Sequence, residues 1–164
     1  MTSKVVEIDI TGNVRNKINV PLTIEEVYYS LTELDKNFSK KMILHLNLRL
    51  YARKLQERAH FVVCRDKDNI IVGIVAYYLN NEKSMVYIPL VCVDSNKRRV
   101  GIARNMMQVL IELVAGSYKT IELEVRDTNV GAISLYQKMG FVKNEAKTDD
   151  KPKLYMIWRR KENG

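Results

Sequence analysis

The 164-residue chain is long enough for one domain with a sizeable core and too short for two, and no apolar run in it approaches the roughly 20 residues that span a bilayer. Its 46% hydrophobic and 28% charged content is ordinary for a soluble globular protein. A formal net charge of +8 asks for an anionic partner, either nucleic acid or a cofactor with several phosphates; the basic residues are scattered and no recognition-helix or RNA-binding signature accompanies them, so nucleic acid is not expected as the main ligand.

The segment from Met1 to Glu7 is polar and lacks the apolar core of a secretion signal, so a cytoplasmic location is expected. Residues 4–10 read as a first strand, Thr11-Gly12-Asn13 as a turn, and the stretch to Val20 carries no clear period. Thr23-Ile24-Glu25-Glu26 has the spacing of a capping box, which predicts a helix from Thr23 with Val27, Leu31 and Leu34 on one face. Asn37-Phe38-Ser39 interrupts it, and a second helical stretch runs through Leu46, Leu48, Leu50, Tyr51 and Leu55 to about Ala59.

From His60 the period becomes that of strands. Residues 61–65 and 70–78 flank Asp66-Lys67-Asp68-Asn69, which is hairpin chemistry, and a third strand of the meander runs from Met85 to Val93 after the turn at Asn80-Asn81-Glu82-Lys83-Ser84. Gly73, inside a strand, marks a bulge or a close approach of backbone. A helix follows Gly101 and stops at Gly116; a strand covers Thr120 to Arg126. Asn129 suits the N-cap of a last helix and Gly140 the position just past its end. Strands at 141–145 and 154–158 close the chain. Cys64 and Cys92 lie in apolar strand-like runs as free buried thiols, no metal site is expected, and the isolated His45 and His60 are given no chemistry.

The most informative stretch joins the strand ending in Val91-Cys92-Val93 to the helix containing Asn105 to Leu113 through the loop Arg98-Arg99-Val100-Gly101-Ile102-Ala103. A strand-to-helix junction aims unpaired N–H groups and the positive end of a helix dipole at whatever lies before it. Gly101 keeps side-chain bulk away where backbone must approach a ligand, Ala103 is nearly as small, and Arg98, Arg99 and Arg104 add positive charge. That is the composition of a pyrophosphate seat.

Farther on come Glu124-Val125, Asn129, Ala132-Ile133, Leu135-Tyr136 and Gly140-Phe141. Together with Arg98-x-x-Gly101-x-Ala103, this series resembles the GNAT superfamily of acyl-CoA-dependent N-acetyltransferases over roughly the last half of the chain. The resemblance implies a single domain over residues 1–164. It also implies an α+β fold with a mixed, mostly antiparallel sheet of about seven strands flanked by about four helices. By the same resemblance, acetyl-CoA is the acyl donor. Its pyrophosphate would sit on Arg98 to Arg104 (Arg98, Arg99, Val100, Gly101, Ile102, Ala103, Arg104), and its pantetheine arm would pair with the backbone of Val91, Cys92 and Val93. A splay between that strand and the one from Thr120 would open the thioester slot, and Asn129 would contact the cofactor.

Acetyl transfer also requires a neutral amine and a proton for the departing thiolate. An aliphatic amine, with a pKa of about 10.4 for lysine, is mostly protonated at neutral pH, so a carboxylate must take its proton. Glu124 occupies the position where some family members that acetylate protein N-termini carry a glutamate base; Glu122 shares its face by two-residue alternation and is the reserve, and the competing reading is that both simply pair with lysines or face water. Tyr136 matches the family's usual proton donor. Ser95, Lys97 and Arg99-Val100 depart from the family's common loop residues. The expected acceptor is a small-molecule amine, an amino sugar among the candidates. The alternatives are a peptide or protein N-terminal amine, or a module that binds acyl-CoA without turnover. A homodimer is left open, and no membrane partner is expected.

Overall fold

Apolar runs need cover on one face or two, and a computed structural model of the chain, which describes residues 5–18, 22–34, 47–98 and 100–162, shows what covers each. The fold has two compact units, Met1–Tyr77 with Leu90–Leu110, and Tyr78–Pro89 with Ile111–Gly164.

The first unit contains β1 (Val5–Ile8), β2 (Val14–Ile18), α1 (Ile24–Glu33), α2 (Leu48–Arg58) and β3 (His60–Arg65). It also holds residues 71–77 of β4 (Ile71–Asn80), 90–93 of β5 (Met85–Val93) and 102–110 of α3 (Ile102–Val114). β1 runs parallel to β3, with Val5 opposite Phe61 and Ile8 opposite Cys64, and β3 runs antiparallel to β4. Phe61, Val62, Val63 and Cys64 are all fully buried, so this strand reads as a continuous apolar run because both of its faces are covered. Helices α1 and α2 pack on each other, and Val27, Leu31, Ala52 and Leu55 on them are fully buried.

β2 is the strand that periodicity does not reveal. Its sequence, Val-Arg-Asn-Lys-Ile, is polar in the middle, and it is a strand because its backbone pairs antiparallel with β1 across a turn in which Gly12 takes φ +93°. The sheet strands therefore number eight among the described residues where about seven are expected, and the helices number four as expected. The interruption at 37–39, the start of the second helical stretch at Leu46, and His45 lie outside the described residues.

The predicted capping box is present: Thr23 Oγ1 accepts from Glu26 N at 3.1 Å and Glu26 Oε1 accepts from Thr23 N at 3.1 Å. Glu26 also holds Arg65, whose guanidinium reaches Glu26 at 2.8 Å and Glu7 at 3.0 Å and so ties α1, β3 and β1 together. Burial acts to raise the Glu26 pKa, but the hydrogen bond from Arg65 and the N–H of Thr23 outweigh it and leave the carboxyl below its ordinary 4.5. A carboxyl depressed in the folded state contributes stability that is complete above its unfolded pKa and is lost as pH falls through the folded value. The melting temperature should therefore drop as pH falls below about 4.5, and Glu26→Gln should flatten that part of a melting-temperature-against-pH curve.

The second unit contains residues 78–80 of β4, 85–89 of β5 and the last turn of α3, then β6 (Thr120–Arg126), α4 (Val130–Lys138), β7 (Val142–Lys143) and β8 (Lys153–Arg159). β5 and β6 pair in parallel from Met85↔Thr120 to Ile88↔Leu123, and the next residue, Pro89, has no N–H with which to continue the ladder. β6 pairs antiparallel with β8 along its whole length, from Thr120↔Arg159 to Arg126↔Lys153. Ile121, Leu123 and Val125 alternate into the core with Val86, Ile88, Met156 and Phe141, which sends Glu122 and Glu124 to the opposite face. No helix among the described residues is long and apolar enough to cross a membrane.

Candidate active site

The proposed phosphate seat belongs to the first unit. Alternation along β5 buries Leu90 and Cys92 and leaves Val91 and Val93 half-buried on the other face. Asp94 then turns the chain: its N–H donates to Val72 O at 2.9 Å, its carboxylate accepts from Asn96 N at 2.9 Å, and Ser95 N donates to Leu34 O at 2.9 Å. Ser95 and Lys97, two of the departures from the family's usual loop, thus lie in a short helical turn capped by Asp94. Arg98, Val100 and Arg104 are exposed, Ala103 is half-buried and Ile102 is buried; Arg99 lies outside the described residues.

Gly101 immediately precedes α3 with φ +87°, the left-handed region, and a Cβ placed there would meet nothing within 4 Å. Its carbonyl accepts the first helical bond, from Asn105 N at 2.9 Å, so the N–H groups of the first turn have no partner within the helix. An open approach, N–H donors and a helix dipole suit a phosphate. Gly101→Ala strains the left-handed backbone by about 1–2 kcal/mol and puts a methyl into the open space through which a phosphate would approach. Its expected effect is roughly tenfold weaker acetyl-CoA binding by titration calorimetry.

Two features grip the first turn of α3 from below and from the side. Gly73 on β4 lies where a Cβ would stand 2.8 Å from Ile102 Cγ2, and the β3–β4 register also shifts beside it, from Cys64↔Gly73 to Arg65↔Ile71, so this glycine marks both a close approach and a bulge. Gly12 in the β1–β2 turn comes equally near the Asn105 side chain, at 2.9 Å for a Cβ, and Asn105 Nδ2 donates to Ile10 O at 3.4 Å.

In the second unit, Asn129 caps α4 by accepting from Ala132 N at 3.2 Å. The other end of that helix fixes Tyr136. Gly140, at φ +99°, donates to Gln137 O at 3.1 Å while Phe141 N donates to Tyr136 O at 2.9 Å, which together make a Schellman motif. Its hydrophobic contact is Phe141 against Tyr136, with ring centroids 5.8 Å apart. The Gly-Phe pair of the sequence is thus the device that seats the tyrosine. Burial pushes the Tyr136 phenol up to about 12. It is fully protonated at neutral pH, and against a thiol of about 8.5 it is the weaker acid. A phenol this weakly acidic is suited to donating a hydrogen bond to a thiolate, not to giving up its proton.

Both candidate carboxylates pair with lysines. Glu122, whose side chain is 12% exposed, accepts from Lys147 Nζ at 2.9 Å and from buried Asn144 at 3.2 Å and is committed to holding the tail. Glu124 is more open, at 36%, and accepts from Lys153 Nζ at 2.9 Å. Burial and then the nearby Glu124 charge push the phenol of Tyr87, on β5, up to about 12. Lys153 reaches Asp149 at 3.5 Å as well, and Asp149 accepts from the Tyr155 hydroxyl. None of Tyr87, Lys153, Asp149 and Tyr155 was singled out from sequence. The signal available was alternation, since Tyr87 has the parity of the outward-facing residues of β5.

The sequence model described as the acetyltransferase (GNAT) family matches residues 24–141, well over half of the chain. The chain belongs to the GNAT family. Proteins of this family are N-acetyltransferases that take their acyl group from acetyl-CoA. Human N-alpha-acetyltransferase 30 is 36% identical over 78 residues, 45% of this chain and 22% of that protein. The chain spans 21% to 29% of the length of the curated relatives it matches. Among solved structures, the PaiA N-acetyltransferase of Thermoplasma acidophilum in complex with coenzyme A superposes with a TM-score of 0.66 at 14% identity, over 85% of this chain and 96% of that one. The ribosomal-protein-S18-alanine N-acetyltransferase of Escherichia coli gives 0.63 at 18%, over 88% and 94%. At these identities the superpositions show a shared fold. They accord with the expected mixed, mostly antiparallel sheet.

Proposed function

We propose that the chain transfers the acetyl group of acetyl-CoA to a primary amine by direct attack, and that the amine is the α-amine of a peptide or protein. The observation that carries the donor is Gly101, whose left-handed conformation and open surroundings leave the first turn of α3 free to receive a pyrophosphate. Arg98 and Arg104 flank it with charge, and the backbone of Val91, Cys92 and Val93 takes the pantetheine arm, with Asn129 as a further cofactor contact. The amine nitrogen attacks the thioester carbon, the carbon–sulfur bond breaks, Glu124 takes the proton the nitrogen loses, and the leaving thiolate accepts a hydrogen bond from the Tyr136 hydroxyl and then takes its proton from water.

The acceptor follows from chemistry and from relatives. An α-amine, with a pKa of about 7.7–8.0, is roughly a quarter neutral near pH 7.4, whereas a lysine-type amine is about one part in a thousand neutral. A site whose carboxylate is already engaged by Lys153 suits the acceptor that needs less help losing its proton. The similarity to N-alpha-acetyltransferase 30 supports the same choice. Supplying acetyl-CoA with an equimolar mixture of a short peptide bearing a free α-amine, an N-blocked lysine peptide and glucosamine tests this. The α-amine peptide should be consumed first. Preference for glucosamine would return the small-molecule reading, and acetyl-CoA binding with no consumption would leave a binding module.

A further inference from the structure

We infer that Lys153 is a positioning residue for amine deprotonation, holding the Glu124 carboxylate in one orientation while Asp149 anchors the lysine from the far side. The inference rests on the reading of Glu124 as the proton acceptor. It starts from register: Glu124 of β6 pairs with Tyr155 of β8, and Arg126 with Lys153, so Lys153 opens β8 one diagonal step from Glu124. Its ammonium lies 2.9 Å from Glu124 Oε2 and 3.5 Å from Asp149 Oδ2, above the Tyr155 ring at 5.0 Å from the centroid. Tyr155 in turn donates its hydroxyl to Asp149, which closes the loop of contacts.

A lone surface lysine salt bridge is weak, because a long side chain must be ordered to make it. Here three partners share that ordering, and the Lys153 side chain, 19% exposed, is better covered than the carboxylate it holds, at 36%. That asymmetry is what positioning needs. The cation is fixed, and the carboxylate keeps an open side toward an incoming amine. Hydrogen bonding to Glu124 raises the lysine pKa, so the anchor stays charged throughout the neutral range.

The test is a double-mutant cycle, with a short α-amine peptide as acceptor and thiol release as the readout. Glu124→Gln should lower kcat by about 100-fold. Lys153→Met, which keeps the aliphatic stem, should lower kcat by about tenfold while KM for peptide and for acetyl-CoA stays within about twofold. Lys153→Arg should restore most of the rate, Asp149→Asn should give a smaller loss of the same kind, and Lys153→Met should add nothing in the Glu124→Gln background. Unchanged kcat in Lys153→Met, or an equal loss with Glu124 already replaced, overturns the inference. Wild-type turnover in Glu124→Gln removes the base assignment itself, which a slow Glu124→Gln paired with a fast Lys153→Met does not. If Lys153→Met melts far below the wild type, the Arg and Asn variants carry the same comparison.

Discussion

Replacing Tyr136 by phenylalanine should lower the rate of acetyl transfer by about 100-fold or more, with acetyl-CoA affinity within about twofold of wild type. The expectation comes from the way α4 ends. The Schellman turn at Gly140 clamps the backbone of Tyr136 through the Phe141 N–H, and the Phe141 ring packs against the tyrosine ring, so removing the hydroxyl leaves the ring's packing intact. What is lost is the hydroxyl proposed to donate to the leaving sulfur. Since burial holds the phenol near 12, Tyr136 should stay protonated across the usable pH range and should add no ionisation to the pH–rate profile below about 10. Stopped-flow or steady-state thiol release against pH checks both statements. A Tyr136→Phe enzyme with near-normal kcat would assign the donor to another group.

Gly73→Val should lower the melting temperature by about 5–10 °C and weaken acetyl-CoA binding in the folded fraction. The first methyl alone would stand 2.8 Å from Ile102 Cγ2 and 2.9 Å from Met106 Cε. The methionine tip can swing away, but the β-branched Ile102 is stiff, so the helix itself must move. The moving part is the turn proposed to present its N–H groups to the pyrophosphate, and packing and ligand affinity are therefore expected to fall together. Shortening the obstacle offers a check. The loss in Gly73→Ala combined with Ile102→Ala should be smaller than the sum of the two single losses, because the clash is between those two side chains. Strict additivity in thermal melts would show that Gly73 is tolerant for another reason.

The parts of the site that were legible in sequence are those fixed by local backbone demands. Asn129 and Gly140 mark the two ends of α4 because a helix start needs a side-chain acceptor and a Schellman turn needs a residue at positive φ. The capping box at Thr23 and Glu26 is legible for the same reason. What was hidden depends on partners distant along the chain. β2 exists through its ladder with β1 and not through its own period. The lysine partners of Glu122 and Glu124 lie 25 and 29 positions away, at Lys147 and Lys153, and no spacing rule links them. The rise of the Tyr136 phenol likewise depends on how deeply the Phe141 contact seats the ring. Free thiols at Cys64 and Cys92 were expected and are found buried.

The most direct measurement is amine-dependent thiol release from acetyl-CoA by the purified chain, with the acetylated product identified by mass spectrometry. One free thiol per N-acetylated α-amine is expected, with loss of both signals together in Tyr136→Phe. Failure to bind acetyl-CoA, or thiol release that is indifferent to the amine, would contradict it.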